Sequence, residues 1–215
     1  MVTDHSKSMT LLYAAVLTGL VLPSGCRPPS TSTGAKEIKS SAIFNPGALY
    51  SPNVILSMSD TEIPVVMRVK KEGSLVIFES VNHDTVLETE KYDLQPEAFS
   101  LVELVETYNP PIKLIGFPMS IKDSWEWSGV QTSASIERKA KATITSSLDN
   151  LSQDGVAGLE TVKITVALEV ESGVSKPRES KLEFWFAAGK GIVKRTYGTA
   201  IMRRPAKVGP KDPQE

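Results

Sequence analysis

Few side chains in this sequence could do chemistry. The 215 residues include one cysteine, Cys26, and two histidines, His5 and His83. A lone cysteine excludes an intrachain disulfide, and with two histidines beside it no zinc site of Cys and His ligands can be assembled. Nucleophilic catalysis would have to draw on His83 as its base, because His5 lies in the N-terminal leader. Asn82-His83-Asp84 reads as a turn between strands, and no nucleophile stands out near it. Carboxylates pair at Glu88 with Glu90 and at Glu103 with Glu106, and alternation on exposed strand faces accounts for both pairs. Gly189-Lys190-Gly191 lacks the spacing of a phosphate loop and reads as a hairpin turn. No catalytic residue, metal site or cofactor motif emerges. The 24 basic and 25 acidic side chains are mixed along the chain, with a formal charge of −1. That balance creates no field to draw in nucleic acid.

What surrounds Cys26 is more informative. Residues 1–9 are polar with one lysine, and Thr10 to Leu22 form thirteen mostly apolar residues. As a helix these would span about 20 Å, short of the roughly 30 Å hydrocarbon core of a bilayer, so the layout is that of a signal peptide over residues 1–25. Pro23, Ser24 and Gly25 supply a turn and small side chains just before Cys26. The stretch resembles the lipobox of bacterial lipoproteins, in which a peptidase cuts immediately before a cysteine that carries lipid. That resemblance implies a diacylglyceryl group and an amide-linked chain on Cys26. At about 0.8 kcal/mol per buried CH₂, two or three acyl chains hold a protein on a membrane almost permanently. The next residue is Arg27 and not Asp, so nothing resembles an inner-membrane retention signal. The resemblance then implies an outer-membrane anchor facing the periplasm. The other reading of the same residues is a secretory signal cut near Gly25, which leaves a free thiol on a periplasmic or secreted protein.

Behind the cysteine, residues 26–45 are rich in Pro, Ser, Thr, Lys and Gly and read as a flexible tether, with an r.m.s. span of about 25 Å. From Ile63 onward the pattern changes to period two with β-branched residues. Strands are expected over 63–70, 75–81 and 85–92, with turns at Glu72-Gly73-Ser74 and Asn82-His83-Asp84. Further strands are expected over 140–146, 158–170, 181–186 and 191–202. Residues 98–105 fit helical and alternating spacing alike, and we read them as strand. Strands in succession joined by short turns imply an antiparallel meander, and no strand–helix–strand rhythm of a parallel nucleotide-binding sheet appears.

Two segments carry large rings. In PPIKLIGFPMSIKDSWEWSG (110–129), Trp125 and Trp127 stand two apart on a strand and share a face. In FWFAAGKGIVKR (184–195), Phe184 and Phe186 share one face and Trp185 takes the other. Core packing explains such rings, and so does a groove lined with Trp125, Trp127, Phe184 and Phe186 for an apolar ligand. Together the segments resemble a group of bacterial envelope lipoproteins of unknown function. The likeness rests on Pro118, Met119, Ile121, Trp125, Trp127 and Gly129, and on Trp185, Phe186, Ala187, Gly189, Gly191, Ile192, Val193, Lys194 and Arg195. It implies a single curved antiparallel sheet, half-barrel or open-barrel-like, similar to periplasmic lipoprotein-carrier folds.

The sequence therefore leads to an all-β domain over residues 46–204 and a disordered basic tail over 205–215, with Arg203 and Arg204 leading into that tail. The expected function is a lipid-anchored envelope protein that binds an apolar ligand or an envelope component and is not an enzyme. The alternatives are a structural or assembly protein without a pocket, and a hydrolase.

Overall fold

A computed structural model describes residues 37–38, 53–121, 123–153, 156–173, 176–198 and 201–205. The signal segment, Cys26, most of the tether and residues 206–215 of the tail lie outside the described residues. Every described element is a strand: β1 (Glu37–Ile38), β2 (Asn53–Met58), β3 (Thr61–Glu72), β4 (Leu75–Asn82), β5 (Thr85–Gln95), β6 (Ala98–Glu103), β7 (Thr107–Gly116), β8 (Met119–Ser120), β9 (Ser124–Ser133), β10 (Ile136–Gln153), β11 (Val156–Val170), β12 (Arg178–Ala187), β13 (Gly191–Tyr197) and β14 (Ile201–Pro205). The ambiguous 98–105 stretch is strand through Glu103, followed by the tight connection into β7.

The expected antiparallel meander is present, and it goes one step further than an open or half barrel. Twelve strands pair in chain order from β2 through β7, then β9 through β14, and β14 pairs back onto β2 to close the ring. The two strands that meet, with Val54 opposite Pro205 and Met58 opposite Ile201, are the first and last of the sheet. Neither is conspicuous in sequence. β2 precedes the alternating region, and β14 is separated from β13 by a turn at Gly198, whose φ of 57° suits glycine. The single strand expected over 191–202 is therefore two, and Arg203 and Arg204 lie in the second of them, β14.

Alternation places the core inside the ring. Along β10, Ala140, Ala142, Ile144 and Ser146 are buried while Lys141, Thr143, Thr145 and Ser147 are exposed. β3 repeats this with Val65 and Met67 against Val66 and Arg68. On these two strands the inward face is mostly apolar and the outward face is polar or charged except at Val66. That is the reverse of a membrane-spanning barrel, whose lipid-facing side carries an apolar band about 25 Å tall.

A ring of twelve strands is wide enough to leave a lumen unless opposite walls approach. Here they do. Tyr92 on β5 meets Phe184 on β12 across the ring, with centroids 6.4 Å apart, and Phe99 on β6 meets Phe186 at 5.8 Å. The walls pack as two apposed layers with side chains between them, and burying rings of this size contributes a few kcal/mol each.

The ladder between β7 and β9 is short. Only Thr107, Tyr108 and Asn109 of β7 pair with β9. Pro110 and Pro111 follow, and neither can donate a backbone hydrogen bond. Beyond them the two tryptophans take over the bonding. Trp127 Nε1–H donates to Pro110 O at 3.0 Å, and Trp125 Nε1–H donates to Lys113 O at 2.7 Å. Gly129 completes this seam: a Cβ there would lie 2.5 Å from Asn109 O and 2.6 Å from the Trp127 ring. The W-x-W-x-G pattern is therefore a device that holds two strands together where prolines interrupt their ladder.

Candidate functional site

The four ring residues singled out in sequence all join the buried cluster. Phe184 is 0% exposed and Phe186 is 2% exposed, with centroids 6.4 Å apart. Trp127 is 8% exposed and meets Tyr108 edge to face at 6.2 Å, and Trp125 is partly buried against the same core. Both indole N–H groups are occupied by the β7 carbonyls. Trp185 faces outward, as alternation requires. It is flanked by Lys163 and Lys194 at 4.8 and 4.7 Å, and its N–H donates to Asp149 at 2.8 Å.

The chemically richest place in the molecule is one that the sequence reading passed over. Glu88 and Glu90 project from β5 into the interior, and Arg195 of β13 and Arg203 of β14 meet them from the opposite wall. The expectation that alternation on exposed faces explains this carboxylate pair is corrected: Glu90 is 1% exposed and Arg195 0%. Glu90 is the hub. Its Oε1 lies 3.0 Å from both Arg195 Nε and Arg203 Nε, and its Oε2 accepts from Arg203 at 3.1 Å and from the Tyr92 hydroxyl at 2.6 Å. Arg195 Nη2 donates to Glu88. The Arg203 guanidinium also lies over the Phe78 ring, 5.7 Å from its centroid.

Two guanidiniums and two carboxylates balance, which is what makes their burial tolerable. The balance is uneven at each carboxylate. Burial pushes Glu90 up, but Arg195 and Arg203 outweigh it and hold its carboxyl below the ordinary 4.5. Glu88 is displaced the other way, because burial there exceeds the pull of Arg195 and the Glu90 charge adds to it. Burial raises the Tyr92 hydroxyl well above its usual range, with the Glu90 charge adding to the shift, so the phenol stays a donor.

A smaller polar group lies where β6 turns into β7. Glu106, the second member of the other carboxylate pair, is also buried. Its two oxygens accept from the Tyr197 hydroxyl at 2.8 and 2.6 Å, and Arg178 approaches at 3.3 Å. His83 sits in its expected turn with φ of 50° and is exposed. Among the described residues no three His, Cys, Asp or Glu side chains come together as a metal site.

The ionic cluster escaped sequence reading for a definite reason. Arg195 is three residues from the inward Ile192, an odd spacing that strict alternation assigns to opposite faces. A register shift beside Phe186 puts both inside. Glu88, Glu90 and Tyr92 do share one parity, and the large ring of Tyr92 was the available hint that its partners in alternation face inward.

No family model and no curated protein matches the chain. Among solved structures, the chain is similar to the hypothetical lipoprotein YmcC from Escherichia coli (K12), 14% identical, with a TM-score of 0.41, over 77% of this chain and 94% of that one.

Proposed function

We propose that the protein is a lipid-anchored component of the bacterial cell envelope, held by Cys26 and facing the periplasm at the outer membrane. Its barrel acts as a binding module for another envelope component. The observation that carries this reading is the pairing of the LPSGC stretch with a barrel of polar exterior. A wall bearing Lys141, Thr143 and Arg68 outward is unsuited to hydrocarbon, which supports attachment through the N-terminal segment. The packed interior supports recognition on the outer surface over carriage of a ligand within, and catalysis is not part of the reading.

Photo-crosslinking groups at outward positions such as Thr143 and Arg68 test it in cells. The reading expects a discrete envelope component to be captured from the outer wall. It fails if the outer positions capture nothing while purified full-length protein retains a stoichiometric apolar compound.

A second reading keeps the apolar ligand. Trp125 is only partly buried and, like Trp127, stands where the β7–β9 ladder has stopped, which makes it the more accessible of the expected lining residues at that seam. In that case Trp125→Ala abolishes co-purification of the compound, with Trp127, Phe184 and Phe186 forming the floor beneath it.

A further inference from the structure

In an antiparallel meander successive turns fall at alternate ends. The turns β2–β3, β4–β5, β6–β7, β9–β10, β11–β12 and β13–β14 therefore share one end of the barrel. Six large apolar side chains are exposed among the described residues, and four of them lie at this end: Met58 at 40%, Val86 at 44%, Val105 at 49% and Ile136 at 53%. They are not scattered. Met58 ends β2, Val86 lies one residue into β5, Val105 stands in the corner between β6 and β7, and Ile136 opens β10. Around the ring those are four consecutive turns, each contributing one apolar side chain to a crescent. Single exposed apolar residues are ordinary, whereas a set gathered at the tips of adjacent hairpins marks a surface that meets a partner.

The same turns concentrate backbone strain. Four described residues other than glycine have φ in the left-handed region: Ser59 (54°), His83 (50°), Ala134 (46°) and Ser135 (67°). All four sit at this end, in the β2–β3, β4–β5 and β9–β10 turns. Glycine adopts such angles without steric conflict, as Gly73 and Gly189 do in turns at the opposite end, so keeping side chains here costs free energy. Strain of this kind collects at binding surfaces. The β6–β7 corner is fixed in another way, with exposed Val105 held between buried Leu104 and buried Glu106, and Glu106 tied across the ring to Tyr197 and Arg178. The crescent is thus preorganised, which lowers the ordering cost of association.

Charge decides what kind of partner fits. On the β2–β3, β4–β5 and β6–β7 turns the exposed ionic side chains are Asp60, Glu62 and Asp84, beside the His83 imidazole. Glu62 is bridged by Arg204 at 2.9 Å, and Glu103 at the end of β6 by Lys91 at 2.8 Å. Asp60 and Asp84 enter no ion pair among the described residues. Farther round, Arg138, Lys139, Lys176 and Arg178 are interspersed with Glu137, Glu171 and Glu179, and the two signs nearly cancel. The surface beside Met58, Val86 and Val105 is therefore acidic, and it disfavours an anionic phospholipid face or an acidic protein. A segment with apolar side chains flanked by lysine or arginine is complementary on both counts.

We infer that this crescent of turns is the docking surface of the barrel, and that it receives a protein segment pairing apolar side chains with lysine or arginine. The inference rests on the outer-surface recognition proposed above and narrows it to one end. A photo-crosslinking residue placed singly at Met58, Val86, Val105 or Ile136 of the full chain tests this in cells, with Thr143 and Arg68 on the wall and Gly73 and Lys190 at the opposite end for comparison. One and the same envelope protein should be captured from the four crescent positions, through a segment of the stated composition identified by mass spectrometry. That segment, made as a peptide, should bind purified full-length D60K/D84K about tenfold or more weakly than wild type, and the difference should shrink in high salt. Both aspartates are exposed, and an unchanged melting temperature separates lost docking from lost folding. No protein captured at the crescent overturns the inference: with capture from Thr143 or Arg68 the outer-surface reading stands, and with none anywhere and a retained apolar compound it falls too. Lipid adducts or a second copy of this chain at the crescent, an acidic segment, or a peptide that binds D60K/D84K as well as wild type each overturn the inference alone.

Discussion

Arg195 is buried to 0% exposure and faces two carboxylates, so its removal leaves Glu88 and Glu90 competing for Arg203 alone. Arg195→Met should cost about 3–5 kcal/mol in urea unfolding, the range for breaking a buried pair from one side. The two glutamates should not respond alike. Glu90 is held below 4.5 when folded, so its contribution is fully present above the unfolded value and is lost as pH falls through the folded one. Glu88 is held above 4.5, so its contribution is present below the unfolded value and is lost as pH rises through the folded one. At pH 7 Glu90→Gln should therefore destabilise more than Glu88→Gln, and the Glu90→Gln penalty should shrink on acidification below about pH 4.5. Melting temperatures of both variants from pH 7 to pH 3 check the sign. A Glu88→Gln penalty equal to that of Glu90→Gln at pH 7 would contradict this assignment.

At the scale of elements, the seam between β7 and β9 is the most exacting part of the fold. Gly129→Ala places a methyl carbon into the space of Asn109 O and the Trp127 ring. Overpacking against a backbone carbonyl cannot be relieved by a rotamer change, and a loss of about 3 kcal/mol is expected, the upper part of the overpacking range. Trp127→Phe keeps a ring but leaves Pro110 O without its donor at 3.0 Å, which should cost about 1–3 kcal/mol. Hydrogen exchange of β7 and β9 amides in Trp127→Phe should rise before that of β10 and β11. Uniform loss of protection over all four strands would show that the indole bond is not what holds this seam.

Much of this architecture was legible from alternation. β3, β10 and β11 present apolar and polar residues with period two, and the turn after β3 carries Gly73. What alternation could not show was closure, because β2 and β14 are short and lie at the margins of the patterned region. Parity also fails at a bulge, which hid Arg195 behind Ile192. The ring residues were found, but whether Trp125 and Trp127 line a groove or bond a neighbouring strand depends on prolines some seventeen positions earlier, as the Trp127–Pro110 bond shows. Long-range register of that kind is absent from local spacing.

For the whole molecule, the consistent picture is a barrel that hides its apolar side chains inside and ties its opposite walls by Glu90 with Arg195 and Arg203. On the function proposed above, Cys26 is what holds such a body at a membrane. The most direct measurement is metabolic labelling of the full chain with a radioactive fatty acid, for wild type beside Cys26→Ala, followed by separation of membrane and soluble fractions. The account predicts labelled wild type in the membrane fraction, and an unlabelled Cys26→Ala variant that leaves it while retaining the melting temperature of the barrel. Wild type without label, or Cys26→Ala still held in the membrane fraction, would contradict it.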